Sequence, residues 1–363
     1  MSTNMLDQDR SDLLRRLSDA HGVSGFEDDV QQAIHGLMPS SCGVRRDRIG
    51  NLIASLTGRS AQPNILIEAH VDEIGFLVAR VTRQGYLRFR AIGTWSPLVL
   101  LGQRVVVKGR FGDVAGVIGS QPPHAASKVA PVEPRIDDMF IDIGATDARE
   151  VAAMGVRPGL PIVPSGLSEV TANGNGLIGK AWDNRAGVAL LIATLHELAQ
   201  AGDHPNTVTA AATVQEELGS RGMKALALQV KPDVAFVLEG ILATDDPQAR
   251  ADEEGGSALG KGPNLVFHDD SMLANPRLLE WCTDIAEEAG IPHQRTPAFG
   301  SNNAGEVHIQ SGGIPTLVFG VPCRYIHAPN GLLLLDDFRH AVELLTLLVR
   351  RLDDATLGRI TDV

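Results

Sequence analysis

The chain has 363 residues, more than one ordinary hydrophobic core serves, so two domains are expected. Its net charge of −12 argues against a nucleic-acid partner, and its 44% hydrophobic content describes a soluble globular protein. No window approaches the roughly 18 uninterrupted apolar residues of a membrane span, and no apolar leader opens the chain. Cys42, Cys282 and Cys323 lie far apart without a CxxC pair, which points to a reducing, cytoplasmic setting with no disulfide framework.

The first forty residues predict helices: LLRRL and VQQAIHGLM carry apolar residues at three- and four-residue spacing. NLIASLTG and NILIEAH read as strands, the second nearly all apolar and therefore central. From Ile74 to Pro164, short strands follow one another (GFLVARVT, GYLRFRAI, QRVVVKG, DVAGVIG, FIDIG), with VAAMG as the main helical exception. That pattern predicts a small β-rich unit, a barrel. From Asp183 onward strands and helices alternate. NRAGVALLIATLHELAQAG is a long helix with a glycine stop, TVTAAATV a buried strand, MKALALQV a helix and VAFVL a buried strand. PRLLEWCTDIAEEAG is again helical, PTLVFG a strand, and DDFRHAVELLTLLVRRLDD a closing helix. The fold class is therefore α/β, a mostly parallel sheet covered by helices. Residues 1–73 and 165–363 make this layer, and residues 74–164 form an inserted β-rich domain.

In such sheets ligands gather at the carboxyl ends of strands. NILIEA ends in His70, with Asp72 two residues on; TVTAAATV ends in Gln215, Glu216 and Glu217; VAFVL ends in Glu239; PTLVFG leads into VPCRYIHAP with His327. Asp183 sits where a loop enters the long helix. Imidazole and carboxylate without thiolate suit a pair of divalent cations such as Zn²⁺ or Co²⁺, with Mn²⁺ also acceptable. Two metals about 3.5–4 Å apart need a bridging carboxylate, and Asp183 is the expected bridge. The remaining ligands divide as one imidazole and one carboxylate per metal. If Glu216 and Glu217 leave their strand extended, they point in different directions. Glu217 is then assigned as ligand and Glu216 as general base for a metal-activated water. Asp72 is placed to accept the free N–H of His70 and fix its tautomer.

Several motifs are set aside. GNGLIG, Gly174 to Gly179, matches GxGxxG but neither follows a clear strand nor opens a helix. HELAQ, from His196, lacks the second histidine of HExxH, and GFEDD near Gly25 reads as an acidic helix start. His124 falls in the inserted region, and His268 and His308 sit in apolar surroundings as structural residues.

Taken together, HVDEIGF, KAWDNRAG, QEELGSRG, LEG and CRYIHAP resemble, in order and spacing, the tetrahedral (TET-type) metalloaminopeptidases. That family includes glutamyl and deblocking aminopeptidases and members labelled endoglucanase. The resemblance runs from the first helices to about residue 350. It implies an α/β zinc-peptidase-like domain interrupted by a small barrel or PDZ-like domain. It also implies zinc or cobalt as metals, peptide substrates, and dimers assembling into a twelve-subunit tetrahedral particle. It implies further that His70, Asp183 and Glu239 hold one metal and Asp183, Glu217 and His327 the other. Glu216 is then base and proton shuttle, and Asp72 orients His70.

The chain departs from the family twice: Glu239 stands where many members have aspartate, and GSNNAG, Gly300 to Gly305, where members read Gly-Gly-Thr-Asp-Ala-Gly. Asn303 thereby removes a carboxylate expected near the substrate. The expected reaction is removal of N-terminal residues from short peptides. Alternatives are a deacylase acting on N-acyl amino acids with the same metals, and a non-catalytic oligomeric scaffold. A glycosidase needs a carboxylate pair around a sugar rather than two metals.

Overall fold

The computed structural model of the chain describes residues 7–120, 134–247 and 256–361. Helices α1 (Asp7–Asp19) and α2 (Asp28–Leu37) form as the periodicity requires, burying Leu13, Leu14 and Leu17 on one and Val30 and Ile34 on the other. Strands β1 (Gly43–Arg46), β2 (Leu52–Thr57) and β3 (Asn64–His70) follow. β3 is buried at every position from Ile65 to His70. Successive strand residues face opposite sides, so this continuous burial means cover on both faces.

The chain then makes a closed barrel from β4 (Gly75–Val81), β5 (Leu87–Ile92), β6 (Arg104–Gly109), β7 (Gly112–Ile118), β8 (Ile141–Asp142) and β9 (Pro161–Pro164), in the order β4-β5-β8-β7-β6-β9. Its core is separate from that of the sheet. Phe76 stacks on Trp95 and meets Phe89 edge-on, both at 4.9 Å between ring centroids. Helix α3 (Ala148–Ala153) carries the VAA segment, with Asp147 as its side-chain cap.

Past the barrel, β10 (Glu169–Val170) and β11 (Gly176–Gly179) pair antiparallel. GNGLIG is thus a hairpin arm, with no helix to cradle a phosphate. Helix α4 (Trp182–Ala201) is almost wholly buried, the reason its sequence shows little amphipathic contrast, and Gly202 ends it in the left-handed conformation. β12 (Thr207–Thr213), helix α5 (Arg221–Leu226), β13 (Val234–Leu242), β14 (Asn264–His268), β15 (Gln294–Pro297), β16 (Thr316–Arg324) and β17 (Gly331–Leu334) complete the sheet and one of its helices. Further helices span Pro276–Ala289 and Leu335–Arg351, and a last one, Asp354–Thr361, follows the expected closing helix.

Among the described residues the sheet has eleven strands, with the path β1-β2-β12-β3-β13-β16-β17-β11-β10 and β14 and β15 branching from β16. The four central strands, β12, β3, β13 and β16, are mutually parallel, while β1, β2, β17, β11 and β10 extend the sheet in antiparallel pairs. The parallel centre brings four carboxyl ends to one edge, from which the chain leaves β3 for the barrel. Among the described residues no helix is long and apolar enough to cross a membrane.

Candidate active site

The sheet brings the sequence-selected residues to one cleft of about 580 Å³, lined by His70, Asp183, Glu216, Glu217, Glu239 and His327. His70 is the last residue of β3. Asp183 lies in the first turn of α4 with non-helical backbone (φ −84°, ψ 103°), and its peptide to Asn184 is cis. Glu239 is not at a strand end, as the sequence suggested. β13 continues to Leu242, pairing with β16. The continuation is possible because Gly240 has no side chain: a Cβ there would lie 2.6 Å from the Trp182 carbonyl oxygen. The strand therefore runs directly beneath the loop that presents Asp183.

Asp183 joins the two imidazoles. Its Oδ1 lies 3.0 Å from His70 Nε2 and its Oδ2 3.2 Å from His327 Nε2. Glu239 Oε2 is 3.7 Å from His70 Nε2, and Glu217 Oε1 is 3.6 Å from His327 Nε2. Ligand atoms of His70, Asp183 and Glu217 also fall within 4.8 Å of one another, so the two halves adjoin. His327 presents Nε2 to the cleft because its Nδ1 donates to the Thr94 carbonyl at 2.9 Å. Thr94 follows β5 of the barrel. A backbone carbonyl carries no residue-type signal, so nothing in the residue types announces it.

Asp72 acts more broadly than expected. Nδ1 of His70 lies 3.2 Å from the Asp72 carbonyl oxygen and 3.5 Å from its carboxylate. The fully buried carboxylate accepts chiefly from elsewhere: Ser24 Oγ at 2.6 Å, Glu216 N at 2.9 Å and Glu217 N at 3.1 Å. The two glutamates are accordingly not extended. Gln215 turns left-handed (φ 56°) and Glu216–Leu218 form a 3₁₀ turn whose leading N–H groups Asp72 holds. The turn, rather than strand alternation, sets where the two carboxyls point. Glu27 from GFEDD braces the same turn. It precedes an acidic helix start as read, yet its side chain points inward and accepts from Gly25 N at 2.7 Å and Gln215 N at 3.2 Å.

Charge in the cleft is unbalanced toward carboxylate. Burial pushes Glu216 up to about 7 and Glu217 up to about 8, and Asp183 adds to both. Glu239 is raised well above its usual range by burial, against the pull of His70. Asp183 is held low despite burial, because it accepts from both histidines. Burial opposes a charged His327, but Asp183 and Glu217 outweigh it and lift the imidazole to about 9. Oε1 of Glu239 is buried without a hydrogen-bond partner. A cluster in which carboxylates outnumber imidazoles, with an orphaned carboxylate oxygen, fits divalent cations, whose charge would reverse these shifts.

A sequence profile of the M42 glutamyl aminopeptidases matches residues 50–344. The chain belongs to the M42 family of aminopeptidases. It is similar to the glutamyl aminopeptidase of Lactococcus lactis, 32% identical over 354 residues that cover 96% of this chain and 98% of that one. Among solved structures it is similar to a TET aminopeptidase from a marine-sediment Thaumarchaeota archaeon, with 40% identity, TM-score 0.92, and 98% and 100% of the two chains covered. The Pyrococcus horikoshii TET1 peptidase, which can assemble into a tetrahedron or a large octahedral shell, shares 31% identity with TM-score 0.85, covering 94% of this chain and all of its own.

Other selected residues lie off this M42 cleft. Asn303 is fully buried rather than facing substrate; its Nδ2 donates to Glu68 Oε1 at 2.9 Å and Thr213 Oγ1 at 3.1 Å, behind the end of β3. The missing carboxylate of GSNNAG is therefore lost from the scaffold and not from the cleft wall. Glu68, pushed up to about 7 by burial, is the acid that Asn303 accompanies. His268 is exposed at the end of β14, against the apolar setting expected, and His308 Nδ1 donates to the Ala304 carbonyl. His196 of HELAQ faces the Leu37 carbonyl, and His124 lies outside the described residues. The basic residues of KAWDNRAG serve the scaffold: Lys180 Nζ contacts both Glu73 oxygens at 2.7 Å, and Arg185 Nε donates to the Val71 carbonyl at 2.7 Å. Together they fix the segment that carries His70 and Asp72.

Proposed function

We propose that this M42 chain is a metal-dependent aminopeptidase that removes N-terminal residues from short peptides. The observation that carries the reading is the joining of His70 and His327 through the two oxygens of Asp183, with Glu216 in the same cleft. In this reading His70, Asp183 and Glu239 hold one cation, and Asp183, Glu217 and His327 hold the other. Two divalent cations, zinc or cobalt with manganese also suited to these donors, supply Lewis-acid polarisation of the scissile carbonyl and a water of lowered pKa. Glu216 takes the proton from the attacking water and returns it to the leaving amine. Asp72 keeps Glu216 and Glu217 aimed by holding their backbone N–H groups. The surplus of carboxylates favours the ammonium of a free N-terminus, which restricts cleavage to chain ends.

The same reading assigns residues 1–73 and 165–363 to the peptidase domain and 74–164 to an inserted oligomerisation domain. Dimers assembling into a tetrahedral dodecamer are supported by likeness to the P. horikoshii peptidase. Action in the cytoplasm fits three cysteines that are buried and unpaired.

The test is a panel of amino-acid anilides run on purified protein after chelation and metal add-back, with wild type and Glu216→Gln compared and metal content measured for both. Metal restores wild-type activity, while Glu216→Gln keeps about two metals and loses on the order of 10²–10⁴-fold in rate. Cleavage of N-acyl amino acids but of no free-amine anilide would shift the assignment to the deacylase reading. Unchanged activity in Glu216→Gln would remove Glu216 from its role.

A further inference from the structure

Among the described residues that line the cleft, every charged side chain belongs to the ligand cluster or is Glu216. The rest of the wall is uncharged, with Thr94, Ser220, Ser301 and Asn302 as its polar side chains and an apolar stretch beside them. Ile241 and Leu242 close β13, Ile326 precedes His327, and Ala298 and Phe299 follow β15. Phe299 is 64% exposed, a large aromatic ring left toward solvent beside a cluster of carboxylates. Burying that surface under a ligand is favourable, and an apolar ligand group gains most from it.

The segment bearing Phe299 is held at both ends. Ala298 N donates to the His268 carbonyl at 2.9 Å, and the Gly300 carbonyl accepts from Asp270 N at 3.0 Å. Beyond the exposed, neutral Ser301, Asn302 is committed: its Nδ2 donates to Asp269 at 2.9 Å and its Oδ1 accepts from Ala304 N at 2.9 Å. Arg324, two residues before Ile326, is engaged by both oxygens of Asp245 at 2.7 Å. Asn303 is turned inward behind β3 and offers the cleft nothing. Among the described residues an acidic first residue would therefore meet carboxylates and no free cation. A basic one would have to lay its charged end along an apolar wall.

We infer that this cleft selects peptides whose first side chain is neutral and apolar, with Phe299 as the specificity-determining residue and Ile326 and Leu242 beside it. The inference rests on the aminopeptidase reading and departs from the glutamyl preference in the family's description. The free ammonium and scissile carbonyl lie against the ligand cluster, and the first side chain packs on the Phe299 wall. Differences in one side chain in an apolar pocket are worth about 10–200-fold in kcat/KM.

The experiment uses the metal-loaded full-length protein with leucine, methionine, phenylalanine, alanine, glutamate and lysine anilides. The expected result is a kcat/KM for leucine or phenylalanine at least about tenfold above those for glutamate and lysine. Phe299→Ser narrows the leucine-to-alanine ratio about tenfold, mainly through KM, with metal content and melting temperature unchanged. Phe299→Leu retains the wild-type order, and Phe299→Arg raises glutamate relative to leucine. A wild type that prefers glutamate or lysine, or a Phe299→Ser enzyme with an unaltered leucine-to-alanine ratio, overturns this inference and leaves the aminopeptidase reading standing. Cleavage of no anilide by the loaded wild type overturns both.

Discussion

His70 and His327 occupy contrasting surroundings within one cleft. The His70 side chain is 2% exposed, closes a central parallel strand, and lies against Asp72 of its own segment. The His327 side chain is 34% exposed, has a left-handed backbone (φ 57°) beyond the end of β16, and takes its orienting partner from the barrel. The Nδ1 of one imidazole is oriented by its own chain segment, while that of the other is oriented where sheet and barrel meet. A non-glycine residue at positive φ is sparsely populated, so the His327 conformation depends on the contacts around it. Only Asp183 is common to both halves, which makes it the place to test whether they function as one centre.

Asp183→Ala is expected to have the largest effect. It removes the carboxylate shared by both imidazoles, and metal content by elemental analysis should fall from about two ions to near zero, with activity at background. His327→Ala, by contrast, should retain one ion in the His70 half. Equal losses from His327→Ala and Asp183→Ala would mean that the two halves bind their cations as a single unit.

Asp72→Asn comes next. Ser24, Glu216 N and Glu217 N would exchange a charged acceptor for a neutral one inside the protein. A weakening of cation affinity by about 10–100-fold is expected, with a loss of roughly 2 kcal/mol in stability. Metal titration and denaturant unfolding measure the two separately.

The barrel side is tested through Gly93, at φ +72°, where an added Cβ would lie 3.0 Å from Glu217 Oε2 and closer still to Ile74. Gly93→Ala should displace the segment carrying the Thr94 carbonyl and lower affinity in the His327 half by about 10–100-fold, sparing the His70 half. Thr94→Ala, which keeps the carbonyl, should change affinity by less than about twofold in a calorimetric titration.

A further test concerns pH and leaves the cations aside. Burial raises Glu27 to about 7 in the folded protein, above its usual carboxyl value. A raised folded pKa means stability that is complete in acid and declines as pH climbs from about 4.5 to about 7. Glu27→Gln removes this titration, so the variant's stability should be flatter than wild type's across that window in urea unfolding. An unchanged slope would assign the pH response to other carboxyls.

The parallel centre, the barrel and the cluster of ligand types were all legible in the sequence, because each leaves a pattern in residue types. Apolar runs mark buried strands, close-set turns mark the barrel, and polar residues at the ends of those runs mark the cleft. What escaped has physical reasons. The Thr94 carbonyl and the turn held by Asp72 are backbone features, common to every residue type. Glu27 looked like an ordinary helix-start acid because composition does not report which way a side chain turns. Glu239 looked terminal because Gly240 resembles a strand stop, although it is there to admit the Trp182 loop. Asn303 misled for a related reason: its place in the chain suggested the cleft, but its side chain faces Glu68. β10 and β15 are short and polar, so no hydrophobic alternation announces them.

The hydrogen bond from His327 to Thr94 has a thermodynamic corollary. If seating of the barrel strengthens cation binding by some factor, cation binding must strengthen seating by the same factor. The two would then be linked equilibria, and a chelator would loosen a mechanical joint as well as stop a reaction. On the same condition, a contact made to the barrel would tune the occupancy of a centre it never touches.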